Sequence, residues 1–155
     1  MAGVAEDTVR EVLEEIVAGL GLNGTIEVDR EDEVVTGTVH GEDLGLFIGR
    51  HGQTIDAVQH LVFRIALARG AGDEGDLRVV IDAEGYRARR AEALQRVADQ
   101  AAEDARRSGR PVALDAMTAS ERKIVHEYLR DRGGVETYSE GEEPDRHLVV
   151  APLVV

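Results

Sequence analysis

The chain has 155 residues, 43% of them hydrophobic and only 3% aromatic, with 18 basic and 31 acidic side chains and no cysteine. That length holds one ordinary domain or two small ones, with a core built mostly from Val, Leu, Ile and Ala. The lack of cysteine excludes disulfides and thiolate metal sites and fits a reducing compartment, and a net charge of −13 excludes a broad electrostatic grip on a polyanion.

The N-terminus shows no basic segment followed by an apolar one, and no apolar run approaches the roughly 18–20 residues needed to span a bilayer. A cytoplasmic protein without membrane insertion is expected. The charge is unevenly spread: residues 1–43 carry net −10, whereas residues 44–69 carry net +2 through Arg50, Arg64 and Arg69 against Asp56. A few phosphate contacts in that second stretch remain compatible with the acidic total.

Val9, Val12, Leu13, Ile16, Val17 and Leu20 form a helical stripe over residues 7–20, which Gly19 and Gly21 end. Thr25–Val28 and Val34–Val39 are β-rich and separated by the charged turn Asp29–Glu33, predicting an antiparallel hairpin. Leu44–Ile48 reads as one turn of helix. A full helix over Gln53–Ala68 follows, with Ile55, Val58, Leu61, Val62 and Ile65 facing a core. Glycines 70, 72 and 75 mark a turn before a third strand, Leu77–Ile81. This α-β-β-α-α-β unit of three strands with helices on one face is a two-layer α+β solution.

The next helix spans about Gly85–Arg107, with Leu94, Val97, Ala98, Ala101 and Ala105 as its apolar stripe. It reaches roughly 30–35 Å, long enough to bridge two units, and Ser108-Gly109-Arg110-Pro111 stops it. A short strand at Val112–Leu114 opens a second unit. Thr118-Ala-Ser-Glu121 matches a capping box for a helix to about Asp131, and two strands, Val135–Ser139 and His147–Val155, follow. Pro152 marks the last strand as an edge or a bulge.

Two loci could carry chemistry. Gly-x-x-Gly occurs three times, at Gly21, Gly49 and Gly72, and roughly two such spacings are expected by chance. Only Gly49-Arg50-His51-Gly52 lies between two apolar-periodic helices and holds basic or imidazole side chains. Glycines let a nucleic-acid backbone approach the main chain, the following helix points its free N–H groups at the loop, and Ile48, Ile55 and Val58 could floor a groove for bases. The alternative is a plain helix–helix corner. The second locus is Arg122-Lys123-Ile124-Val125-His126. Arg122, His126 and Arg130 share one helix face and offer N–H donors to a phosphate, while Ile124, Val125, Tyr128 and Leu129 would pack on the sheet. Its alternative is a solvated helix face. No second histidine or carboxylate stands on a recognisable motif beside His126, so a nuclease is disfavoured, and neither metal nor cofactor is indicated.

Ile48-Gly49-Arg50-His51-Gly52, with this element order, resembles the type II KH domain, and Arg122-x-x-x-His126 resembles the signature of the R-three-H domain. Together with Gly49–Thr54, Asp56–Leu61, Asp82–Arg87, Met117–Arg122 and Thr137–Arg146, the chain resembles the bacterial Jag (SpoIIIJ-associated, KhpB) family from about residue 8 onward. The resemblance implies a type II KH domain at 1–83, a linker helix at 84–110 and an R-three-H domain at 111–155. It also implies a non-enzymatic binder of single-stranded RNA, about four nucleotides being clamped at the glycine turn. The implied RNA-binding residues are Ile48, Gly49, Arg50, His51, Gly52 and Gln53 in the first module, and Arg122, Lys123, His126, Arg130 and Arg146 in the second. Post-transcriptional regulation bearing on cell elongation and division, and pairing with a small single-KH (KhpA-like) protein, are further implications. Two departures stand out. The separate N-terminal domain of many Jag proteins has no counterpart in this sequence, so its roles do not carry over. Position 51 is His where Lys or Arg is common, leaving one permanent charge in the turn. A competing reading, suggested by the acidity, is a protein–protein adaptor that no longer binds nucleic acid.

Overall fold

The computed structural model describes residues 3–153. The chain divides between Arg87 and Ala88 into two compact units. The first contains α1 (Val4–Gly19), β1 (Gly24–Glu31), β2 (Val34–Gly41), α2 (Gly45–Ile48), α3 (Gln53–Ala68) and β3 (Arg78–Ala83). Its strands lie in the order β1-β2-β3, with β1 antiparallel and β3 parallel to β2. The expected α-β-β-α-α-β order is therefore observed, and β3 is an open edge.

Strand alternation sends Val35 and Val39 of β2 and Val79, Ile81 and Ala83 of β3 to one face, where they meet Val9, Leu13 and Val17 of α1, Phe47 of α2 and Ile55 and Val62 of α3. Each fully buried Val, Leu, Ile or Phe contributes about 1.5–3 kcal/mol. Gly37, at the middle of β2, leaves room for this layer: a Cβ there would lie 2.5 Å from Val9 Cγ1 and 2.7 Å from Leu13 Cδ1. The helical stripes are narrower than their periodicity suggested. Leu61 of α3 is 51% exposed and Leu20 lies just past the end of α1, 38% exposed, while Ala66 and Ala5 take buried positions. Small residues suffice where helices approach the sheet closely.

The second unit contains β4 (Val112–Ala113), α5 (Ala119–Arg132), β5 (Val135–Glu140), β6 (His147–Pro152) and nearly all of α4 (Tyr86–Ser108). Leu94, Ala98, Ala101, Ala102 and Ala105 of α4 share a core with Val125 and Leu129 of α5 and Leu148 and Val150 of β6. This differs from a linker at 84–110: a helix with five buried residues in a core is part of that domain. Val97 and Ile124, expected inside, are 46% and 38% exposed.

The sheet order β4-β6-β5 makes β6 the central strand, and its register with β5 is continuous, so neither the edge position nor the bulge expected from Pro152 is seen. The proline is tolerated because β4 pairs only with Val149 and Val150, so beyond them β6 has a neighbour on one side alone. The last expected strand residues, Val154 and Val155, lie outside the described residues. At the start of α5 the capping box is half formed: the Thr118 hydroxyl accepts from the Glu121 N–H at 3.3 Å, but the Glu121 carboxylate instead takes the Arg90 guanidinium at 2.6 Å.

Candidate nucleic-acid interface

The Gly49–Gly52 turn is a single 3₁₀ turn between α2 and α3 in which three residues have positive φ: Gly49 (74°), His51 (54°) and Gly52 (79°). Both glycines are required by the protein's own packing. A Cβ on Gly49 would collide with Thr54, coming 2.8 Å from its backbone N, and a Cβ on Gly52 would lie 2.9 Å from the Tyr86 hydroxyl and 3.0 Å from its ring. His51 adopts the left-handed conformation without a glycine's freedom, at a position where His is enriched over most residues. The turn thereby holds Arg50, His51 and Gln53 exposed at the start of α3.

The local charge reversal shrinks in three dimensions. Arg69 is bound to Glu11 at 2.8 Å and Arg64 to Glu74 at 3.3 Å. Arg50 has no ion pair among the described residues. Ile55 and Val58 are buried in the core and do not floor a groove, while Ile48 is half-buried against that core.

A groove does exist one to two turns further along α3. About 290 Å³ in volume, it lies between Asp56, Gln59, His60 and Phe63 of α3 and Leu77, Arg78 and Val79 at the β3 edge. Asp56 is its acidic wall, and Arg87 neutralises it at 3.0 Å. Arg87 also donates to the Gln59 side-chain oxygen at 3.0 Å and to the Ile81 carbonyl at 2.7 Å. Asp82 accepts from the backbone N–H groups of Ala83 and Arg87 at 2.8 and 3.2 Å. The stretch Asp82–Arg87 is therefore a clasp. Asp82 caps the incoming helix, Tyr86 backs Gly52, and Arg87 ties α3 to β3. Arg78, His60, Gln59 and Arg87 were missed as site residues because nothing in the linear sequence places α3 against the β3 edge.

In the second unit a groove of about 390 Å³ is lined by Ala119, Arg122, Lys123 and His126 of α5, Thr137, Tyr138 and Ser139 of β5, and Leu148 of β6. Lys123 and His126 are exposed, and the Thr137 hydroxyl is hydrogen-bonded to His126 Nδ1. When Thr137 donates, the imidazole proton sits on Nε2, leaving a donor for an anion. Arg122 is different. It is 8% exposed, and its guanidinium donates to the Met117 carbonyl at 2.5 Å and to Glu143 at 2.6 Å, with a longer 3.5 Å approach to the Arg146 carbonyl. It holds the strand-connecting turn to α5 while presenting one edge to the groove. The structure does not bring Arg130 or Arg146 there: Arg130 is exposed beside Asp131, and Arg146 donates to the Gly141 carbonyl at 2.7 Å. Tyr138, 45% exposed in this groove, is an aromatic that the helix-centred motif did not single out.

A family profile described as "KhpA/KhpB, KH domain" matches residues 6–81, and the R-three-H domain profile matches residues 92–152. The chain belongs to the Jag/KhpB family. It is 33% identical over 148 residues to the RNA-binding protein KhpB of Clostridium symbiosum, covering 94% of this chain and 65% of that protein. It is 38% identical over 136 residues to that of Lactiplantibacillus plantarum, covering 88% and 41% respectively. With the KhpB protein of Bacillus subtilis it shares 34% over 143 residues, covering 91% and 66%. The chain thus spans between about two-fifths and two-thirds of the length of these relatives. Among the described residues no helix is long and apolar enough to cross a membrane, and no group of three or more His, Asp or Glu could hold a metal ion.

Proposed function

We propose that this chain binds single-stranded RNA through its KH turn and groove and through the α5–β5 groove of its R-three-H unit, without catalysing a reaction. The observation that carries the proposal is the exposed Arg50–His51 pair, held by a turn whose conformation the protein's own packing dictates. Arg50 is unpaired among the described residues, and a groove begins on the same helix. The names of the relatives support the same reading. Two modest sites on one chain raise each other's effective concentration, which offsets the unfavourable total charge. Ile48, Gly49, Gly52 and Gln53 shape the first site. Lys123 and His126 are the contacting N–H donors of the second, with Arg122 as its framework. A cytoplasmic post-transcriptional role in cell elongation and division, and pairing with a small single-KH protein, extend this proposal and are tested by crosslinking the protein to RNA and partners in cells.

Binding is tested by titrating a random single-stranded RNA at two salt concentrations. The expected result is salt-sensitive binding that Arg50→Asp combined with His51→Asp weakens, reducing the salt slope by about one for each phosphate no longer bound. Both positions are exposed, and aspartate accepts the left-handed conformation of residue 51 more readily than most residues. No binding, or binding indifferent to the double substitution, overturns the proposal for the KH turn. It would favour the adaptor reading, which the ten net negative charges of residues 1–43 also suit.

A further inference from the structure

We infer that Gln59 selects which base enters the groove between α3 and β3. The inference rests on the proposed RNA binding and begins with the strand register. In the parallel pairing of β3 with β2, Arg78 N–H bonds to the Glu33 carbonyl and Glu84 N–H to the Val39 carbonyl. The residues between them in alternation, Val79, Ile81 and Ala83, therefore turn their main-chain groups to the open edge. Two of the three are already covered. Asp82 accepts from the Ala83 N–H, and Gln59 accepts from the Ile81 N–H at 2.9 Å while Arg87 donates to the Ile81 carbonyl. A ligand lying along the groove meets side chains at this position instead of a bare strand edge.

Gln59 is held in one orientation. Its Oε1 accepts from both the Ile81 N–H and Arg87 Nη2 at 2.9 and 3.0 Å. Both partners are obligate donors, so the oxygen must face them and the amide nitrogen must face away. That Nε2 has no hydrogen bond among the described residues, and Gln59 lines the groove. It presents N–H donors and no acceptor.

The covering task alone does not require an amide. A glutamate would offer the same oxygen to Ile81 and would pair by charge with Arg87. What the amide adds is a donor facing the groove, without a second negative charge beside Asp56. A base that turns a ring nitrogen or carbonyl acceptor towards Gln59 gains a bond there; one that turns a donor loses solvation without recompense.

The test measures binding of the full chain to tetranucleotides of A, C and U, each long enough for one glycine turn and its groove. Gln59→Glu keeps the acceptor for Ile81 and Arg87 and replaces only the donor. Its added charge weakens all three ligands alike, whereas loss of the donor changes their ratios. The expected result is an unequal ranking in the unsubstituted protein that flattens or inverts by about two- to tenfold in Gln59→Glu, with the Gln59 side-chain NH₂ resonances of the unsubstituted protein shifting on addition of the preferred ligand. Equal binding of all three, an unchanged ranking in a folded Gln59→Glu protein, or unmoved NH₂ resonances overturn the inference and leave RNA binding standing. The resonances decide the matter if the variant fails to fold. Failure to bind even a long random single strand overturns the functional proposal, and this inference with it.

Discussion

Replacing Arg122 by Ala separates a framework role from a ligand role. The substitution removes two short charge-assisted hydrogen bonds, to the Met117 carbonyl and to Glu143, and one long approach to the Arg146 carbonyl. Each charged bond is worth about 1.5–3 kcal/mol where its partner is left buried. Met117 is 7% exposed, so its carbonyl bears that full cost. The Glu143 side chain is 58% exposed and regains water, which limits its share to about 1 kcal/mol or less. The 3.5 Å approach to Arg146 adds little. The expected loss is about 2–4 kcal/mol, read as a lower urea midpoint with an unchanged slope. Glu143→Gln keeps an acceptor oxygen and should cost under about 1 kcal/mol. In parallel, Lys123→Ala and His126→Ala should weaken RNA binding without moving the midpoint. An Arg122→Ala protein with an unchanged midpoint and weakened RNA binding would refute this reasoning and make Arg122 a direct phosphate ligand.

Gly37→Ala should destabilise the first unit by about 1–3 kcal/mol through overpacking against Val9 and Leu13, measured by denaturant titration, with RNA affinity of the folded protein unaltered. Tyr138→Ala should weaken binding of single strands by about 1–3 kcal/mol if its exposed ring stacks on a base, and the loss should be similar for all sequences in an anisotropy titration. His40 supplies a pH dependence of stability. Its ring is hydrogen-bonded to Glu27 at 2.7 Å, which raises the imidazole above its ordinary value of 6.5 and lowers the carboxylate below 4.5. The histidine's contribution is full below about pH 6.5 and is lost as pH rises through its raised value. The glutamate's is full above about pH 4.5 and is lost as pH falls through its lowered value. Stability from this pair should therefore be greatest between about pH 4.5 and 6.5. In melting curves His40→Gln should flatten the decline above that window.

Periodicity located α1, α3 and α4 closely because each has one apolar face over several turns, and the capping box located α5. It placed Leu61 and Val97 inside because a stripe read at fixed spacing cannot tell which of its margins the sheet covers. The glycine turn and the Arg122–His126 helix were legible as motifs. Their partners were not: Gln59 meets Ile81 across 22 residues, Arg87 meets Asp56 across 31, and Arg122 meets Glu143 across 21. The roles of arginines were hardest to read. Arg50, Arg69 and Arg122 look alike in sequence, yet one is exposed without an ion pair among the described residues, one is paired on the surface and one is buried.

The glycine turn also changes how its own function must be tested. Glycines 49 and 52 suggest a gap through which a nucleic-acid backbone approaches. In the fold, however, the space beside each is filled by Thr54 and Tyr86, and both glycines have positive φ. Any side chain at either position strains the turn before a ligand arrives. Loss of binding in Gly49→Ala or Gly52→Ala would therefore follow from a distorted turn even if no phosphate touched those residues. Arg50 and His51 project from the turn, and Arg50→Asp and His51→Asp collide with nothing that holds it. Only substitutions at those two positions report on the clamp itself, provided His51→Asp keeps the left-handed conformation, which aspartate, like histidine, accepts more readily than most residues.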